Sequence, residues 1–314
     1  MSRYALVADI GGTNARFALV KEGQVQLEQV KTLSCADYEN IDHAANAYLK
    51  ELDIEHVDKA SIALACPVKV EQLRMTNNHW VFTRDQLSNA LNLKQLTLLN
   101  DFTAMALGML EVSDADLIQI GGGESDDDAP RLVVGPGTGL GVSALVPFNG
   151  QWKALAAEGG HVSFAPTDTA EAAVWAYLTQ VFGRVSVERI LSGQGLLSLY
   201  TALADFKQIT PVHRSPADIS KAALEGEVFS QEVLNRFCRI LGAVAGDAVL
   251  MMGARGGIYL CGGILPRMVD FFKASPFREG LESKGRFQSY MQKVPVWLCV
   301  AENPGLLGAA AAIR

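Results

Sequence analysis

The alternation of apolar and polar positions divides the chain into strands and helices. Leu6, Val7 and Ala8 run into Asp9, Gly11-Gly12-Thr13-Asn14 break the run, and Phe17 to Val20 resume it. That pattern predicts strand, glycine turn, strand. Residues 24–33, with Val25, Leu27 and Val30, predict a third strand of a meander. Residues 38–52 carry Ile41, Ala44, Ala45, Tyr48, Leu49 and Leu52 at helical spacing. The apolar run at 60–66, stopped by Pro67, reads as a buried strand, and 75–80 as a polar loop. Thr83 with Gln86 three residues on marks a capped helix at 83–91. A strand at 96–99 ends at Asn100-Asp101, and an apolar helix follows at 102–110.

The second half repeats the theme. Residues 132–146, LVVGPGTGLGVSALV, overlay 6–20, LVADIGGTNARFALV, at one constant offset. They match at Leu6/Leu132, Val7/Val133, Gly11/Gly137, Ala18/Ala144, Leu19/Leu145 and Val20/Val146, which reads as an internal duplication. Helices are predicted at 169–182, after Gly193, after the Ser215-Pro216 N-cap pair, and at 228–252. Strands are predicted at 257–261 and 294–300, and Asn303-Pro304 opens a last helix. Strands alternating with helices, with a meander at the start of each half, give an α/β class with two sheets.

Composition narrows the function. At 314 residues the length suits two domains. A net charge of −7 without Lys/Arg clusters argues against a nucleic-acid surface. Five scattered cysteines, with no C-x-x-C pair, argue for a reducing compartment and against a disulfide or zinc framework. The apolar run in MSRYALVADIGG is too short for a signal peptide, and no stretch reaches transmembrane length. A cytoplasmic protein is expected. The acidic GGGESDDDAP segment at 121–130 reads as an exposed loop.

Five stretches carry candidate chemistry. Two adjacent glycines let the backbone take φ > 0 and let an anion approach, and N–H groups with the Thr13 hydroxyl can line a phosphate-sized concavity. Asp9 at the mouth of that turn suits an Mg²⁺ accompanying phosphates; the plain alternative is an ordinary hairpin. Asn100-Asp101 sits where a strand meets a helix, the place where ligands gather in α/β sheets, and equally a place for an N-cap. Glu158-Gly159-Gly160-His161 sets two hydrogen-bonding side chains around a glycine pair; a turn histidine is the alternative. Glu188-Arg189 alone reads as an ion pair at a helix start. Gly262-Gly263 stands between a buried strand and a helix, where a nucleoside could lie. Neither a P-loop nor a dinucleotide fingerprint is present.

Together these stretches resemble the bacterial glucokinase family of the actin, hexokinase and heat-shock-chaperone ATPase superfamily. The resemblance runs through DIGGTNAR (9–16), LLNDF (98–102), GPGTGLGV (135–142), EGGHVSFAP (158–166), ERILSGQGL (188–196), GGIYLCGGILPR (256–267) and NPGLLGAA (303–310). It implies a two-domain actin-like ATPase fold, a duplicated ribonuclease H-like α/β architecture with a cleft between the domains. The expected domains are 1–110 plus 301–314, and 111–300. It implies a glucokinase, a phosphotransferase acting on an alcohol group: ATP and D-glucose give ADP and glucose 6-phosphate, the entry to glycolysis, with glucose closing the domains. Asp101 would be the catalytic base, and Asn100, Asp101, Glu158, His161, Glu188 and Asn77 the sugar ligands. Ala8, Asp9, Ile10, Gly11, Gly12, Thr13, Gly137 and Thr138 would hold the phosphates, with Gly262 and Gly263 beside the adenosine. ATP and Mg²⁺ are the implied cofactors, the metal riding on the phosphates, with Asp9 reaching it through water. No protein metal ligand, nucleic acid or membrane is expected; a homodimer stays open. A related sugar-kinase and repressor family carries a cysteine-rich zinc motif after its E-x-G-H, and 163–168 here has no cysteine. Another hexose or hexosamine kinase, or a non-catalytic sugar-sensing regulator, are the alternatives.

Overall fold

The computed structural model describes residues 4–314. The domain start expected at residue 1 lies outside the described residues. The strands are β1 (Tyr4–Ile10), β2 (Asn14–Lys21), β3 (Glu28–Ser34), β4 (Lys59–Leu64), β5 (Gln72–Arg74), β6 (Val81–Thr83), β7 (Gln95–Asn100), β8 (Leu117–Gln119), β9 (Arg131–Pro136), β10 (Leu140–Phe148), β11 (Gln151–Leu155), β12 (Ile258–Leu260) and β13 (Val296–Cys299). The α-helices are α1 (Ile41–Glu51), α2 (Arg84–Ala90), α3 (Asp101–Gly108), α4 (Thr169–Phe182), α5 (Gly193–Lys207), α6 (Pro216–Leu224), α7 (Val228–Met252), α8 (Val269–Ala274), α9 (Phe277–Glu282), α10 (Gln288–Gln292) and α11 (Pro304–Ala311). The chain divides into two compact units. Among the described residues the first comprises 4–116, Trp152–Ala156 and Ala301–Arg314, and the second Leu117–Gln151 and Ala157–Val300. Residues 111–116, expected with the large domain, group with the first unit because the Glu111 and Val112 N–H groups continue the end of α3 and Glu111 pairs with Arg314.

In the first unit the sheet order is β3-β2-β1-β4-β7, with β1–β2 antiparallel and β1–β4 and β4–β7 parallel. Strand β1 is apolar on both faces because both are covered. Leu6, Ala8 and Ile10 pack into a core with Ile41, Tyr48, Ile62 and Trp80. Ala5 and Val7 pack on the other side against Leu306, Ala309 and Ala310 of α11. The third strand begins at Glu28 rather than at residue 24. Helix α1 begins at Ile41 because Asn40, in extended conformation, caps it.

In the second unit the sheet runs β10-β9-β12-β13-β8. Its β10-β9-β12-β13 stretch repeats the sense of β2-β1-β4-β7: one antiparallel pair, then two parallel ones. The duplication read from the two hairpins therefore extends to sheet topology. One large core holds this unit, with α7 running through it and Phe237, Ile240 and Leu241 fully buried. Among the described residues no helix is long and apolar enough to cross a membrane.

Candidate active site

In the first unit the carboxyl ends of three parallel strands come level. Ile10 pairs with Leu64, and Leu64 with Asn100. The Gly11–Thr13 turn thus stands two strand spacings, roughly 10 Å, from Asn100. The Gly11 N–H closes the turn onto Asn14 O at 2.9 Å. The Gly11 carbonyl accepts from Asn78 Nδ2 at 3.1 Å. Neither Gly11 nor Gly12 takes a positive φ, so conformational freedom is not what requires glycine here. Close approach is: a Cβ on Gly12 would lie 2.6 Å from Asn77 Cβ. Asn77, itself exposed, is thereby brought against the Gly11–Thr13 turn. Thr13 is exposed beside it. The side chains of Ala8 and Ile10 belong to the core, which leaves only their main chain to face a ligand.

Asp9 faces Arg16 across the hairpin, carboxylate to guanidinium at 3.8 Å. Burial pushes the Asp9 carboxyl up, and the Arg16 charge offsets only part of that. Asn100 is the N-cap of α3: its Oδ1 accepts the Phe102 and Thr103 N–H groups at 3.0 and 3.2 Å. Asp101 opens the helix, and its Oδ1 accepts the Phe102 N–H at 2.9 Å. The Cys66 thiol is pushed up to about 11, first by burial and then by the Asp101 charge.

In the second unit the equivalent turn follows β9. The Gly137 N–H closes it onto Gly139 O at 2.8 Å, and Thr138 is exposed as Thr13 is. The Cys261 N–H donates to Val134 O at 2.9 Å, which sets the Gly262-Gly263 turn beside Pro136. Gly262 has φ +83°, a conformation that favours glycine. The Glu158–His161 stretch forms a short 3-10 turn, with the His161 N–H on Glu158 O at 3.0 Å. His161 Nδ1 lies 4.0 Å from Glu188 Oε1. A bridge between Ser163 and Ser186 holds the two segments together. Glu188 is no surface ion pair with Arg189: its Oε2 accepts the Leu140 N–H at 2.9 Å, while Arg189 stacks over Phe182.

The structure thus brings Gly11, Gly12, Thr13, Asn77, Asn100 and Asp101 to one end of the first sheet. It brings Gly137, Thr138, Glu188, His161, Glu158, Gly262 and Gly263 together in the second unit. Sequence reasoning missed Arg184, whose Nη2 donates to His161 O at 2.6 Å and to Ser163 Oγ at 3.3 Å. Its target is a backbone carbonyl, which leaves no residue pattern to find. Among the described residues no three His, Cys, Asp or Glu side chains stand together as a metal cage.

The glucokinase family model matches residues 6–314. A glucokinase of Hahella chejuensis is 49% identical over 314 residues, covering 100% of this chain and 98% of its own. One of Neisseria meningitidis is 47% identical over 309 residues, covering 98% and 94%. The crystal structure of a glucokinase from an Antarctic psychrotroph superposes with a TM-score of 0.89 at 36% identity, covering 100% of this chain and 99% of that one. Matched along its whole length, this chain belongs to the glucokinase family and is an ATP-dependent glucose kinase of the two-domain actin-like ATPase fold.

Proposed function

We propose that Asp101 is the general base of the transfer. It takes the proton of the glucose 6-hydroxyl as that oxygen bonds to the γ-phosphorus of ATP and the bond to the ADP oxygen breaks. The observation that carries this reading is the row Ile10–Leu64–Asn100, which puts the start of α3 level with the first phosphate turn. The helix start fixes the direction of the Asp101 carboxylate, and positioning with one proton acceptor is most of what phosphoryl transfer asks of a protein.

The same reading makes Asn100, Glu158, His161, Glu188 and Asn77, with Asp101, the sugar ligands. Asn100 caps with its oxygen, and its amide nitrogen is left as a donor to a sugar oxygen. The turns at Gly11–Thr13 and Gly137–Thr138 would hold the phosphates, and Gly262-Gly263 the adenosine. The donor set suits Mg²⁺: one carboxylate at a phosphate turn, for an ion that keeps several waters and takes one or two carboxylates plus phosphate oxygens. Asp9 would hold it through water, and the bound ion supplies charge neutralisation at the β- and γ-phosphates. The five cysteines are buried thiols, none in a disulfide, which suits a cytoplasmic setting. A coupled assay of a hexose panel with ATP and Mg²⁺ tests the substrate reading. Glucose should give the highest kcat/KM, and a panel led by a hexosamine would replace it.

A further inference from the structure

The second phosphate turn and the sugar set meet at one carboxylate. Glu188 Oε2 accepts the Leu140 N–H at 2.9 Å. A methyl carbon on Gly139 would overlap that same oxygen and come 3.3 Å from Glu188 Cδ, and no other group obstructs it. The Gly139 backbone is not in the left-handed region, so the absent side chain is the seat of the carboxylate rather than a conformational necessity. The segment that carries Glu188 grips the turn a second time, the Gly193 N–H donating to Gly137 O at 2.8 Å. Ser192 Oγ donates to Glu188 O at 2.9 Å and fixes the segment's own turn. Glu188 Oε1 is left at 4.0 Å from His161 Nδ1, beyond hydrogen-bond length.

We infer that Gly139 and Leu140 of the phosphate turn are positioning residues for the sugar. They seat the Glu188 carboxylate so that one oxygen is held by the turn and the other faces the sugar hydroxyl. The inference rests on Glu188 being a sugar ligand, as proposed above. It follows that a nucleotide that orders the turn also orders the carboxylate, and that glucose and nucleotide strengthen each other's binding by the same factor.

Gly139→Ala is the direct test, because the only obstacle to its methyl group is the far end of a flexible side chain. The fold should survive, with an unchanged thermal midpoint, while the carboxylate swings off its seat. The glucose KM should rise about tenfold or more, the scale of one hydrogen bond to a charged group. In a Glu188→Ala background the same substitution should leave the glucose KM where Glu188→Ala alone puts it, as a double-mutant cycle reads. Equal factors in both backgrounds would overturn the inference, since the turn would then act without Glu188. So would a wild-type glucose KM in Gly139→Ala when Glu188→Ala raises it. A wild-type glucose KM in Glu188→Ala itself would remove Glu188 from the sugar set, a failure of the earlier reading that the cycle tells apart.

Discussion

Asp9 and Arg16 face each other across the first hairpin, and their 3.8 Å separation leaves the carboxylate only partly compensated. Burial raises the Asp9 pKa and Arg16 lowers it less. A carboxyl whose folded pKa exceeds its unfolded value binds more protons in the folded state. Stability therefore falls as pH rises from the ordinary value of 3.8 through the raised one, and stays lower above it. Asp9→Asn should remove this dependence. Its thermal midpoint should match wild type in acid and exceed it near neutrality, while the KM for Mg-ATP rises. Midpoints measured across acid to neutral pH check the first half. A variant less stable than wild type at neutral pH would show that the Arg16 pair outweighs burial.

Asp101→Asn keeps the shape of the helix start and the acceptor for the Phe102 N–H, but it cannot take a proton. The kcat should drop at least ~10²-fold, the low end of general-base catalysis, with a much smaller change in glucose affinity. A near-normal kcat would remove Asp101 from the role.

Elements with a long period or a cap were legible in the residues. Helices α4 and α7 fall at 169–182 and 228–252 as read, and the Thr83–Gln86 capping box forms with both hydrogen bonds. Three-residue strands such as β5, β6 and β8 were not legible, because so short a run shows no period. The glycine turn was placed correctly but for an incomplete reason, since neither glycine takes a positive φ and Gly12 answers instead to the close approach of Asn77. The pairing of the Leu140 N–H with Glu188 spans 48 residues. A backbone donor and a distant carboxylate leave no local pattern, so the structure alone joins the two halves of that seat.

The loop after His161 ends on an ionic cluster that secures α4 to α7. Glu171 is buried, its side chain 2% exposed, and its Oε1 takes Arg236 at 3.1 Å and Arg239 at 2.9 Å. Its Oε2 takes both the N–H and the hydroxyl of Thr167 at 2.7 Å. Asp168 caps α4 and pairs with Arg236. Removing one partner of a buried pair leaves the others uncompensated, so Glu171→Ala should cost about 3 kcal/mol. Calorimetry should show a midpoint lower by about 10 °C. A fall of a degree or less would mean that Asp168 alone satisfies both arginines.

Asp168 makes the same cluster acid-sensitive. Burial pushes its carboxyl up, but the Glu171 N–H and the Arg236 and Arg239 charges outweigh it and hold the carboxyl below its ordinary 3.8. A depressed folded pKa adds stability above the unfolded value, and that stability is lost as pH falls through the folded one. Asp168→Asn should therefore be less stable than wild type at neutral pH, with the gap closing in acid. A gap that stays constant with pH would assign the loss to the cap rather than to the charge.

One substitution separates the cap that Asn100 forms from the sugar contact proposed for it. Its Oδ1 caps α3 through Phe102 and Thr103, and its amide nitrogen is the proposed sugar donor. Asn100→Ala removes both, costing about 1 kcal/mol of cap and loosening the helix turn that aims Asp101, so midpoint and kcat should fall together. Asn100→Ser keeps an oxygen suited to the cap and lacks the amide donor. Its midpoint should stay close to wild type, while the glucose KM rises about tenfold and the KM for ATP holds. The contrast matters because a cap acts through the helix and would move kcat and stability alike, whereas a sugar ligand moves the glucose KM alone. A serine variant with wild-type glucose KM and wild-type midpoint would leave Asn100 as the cap of α3 and nothing more. The sugar set would then begin at Asp101.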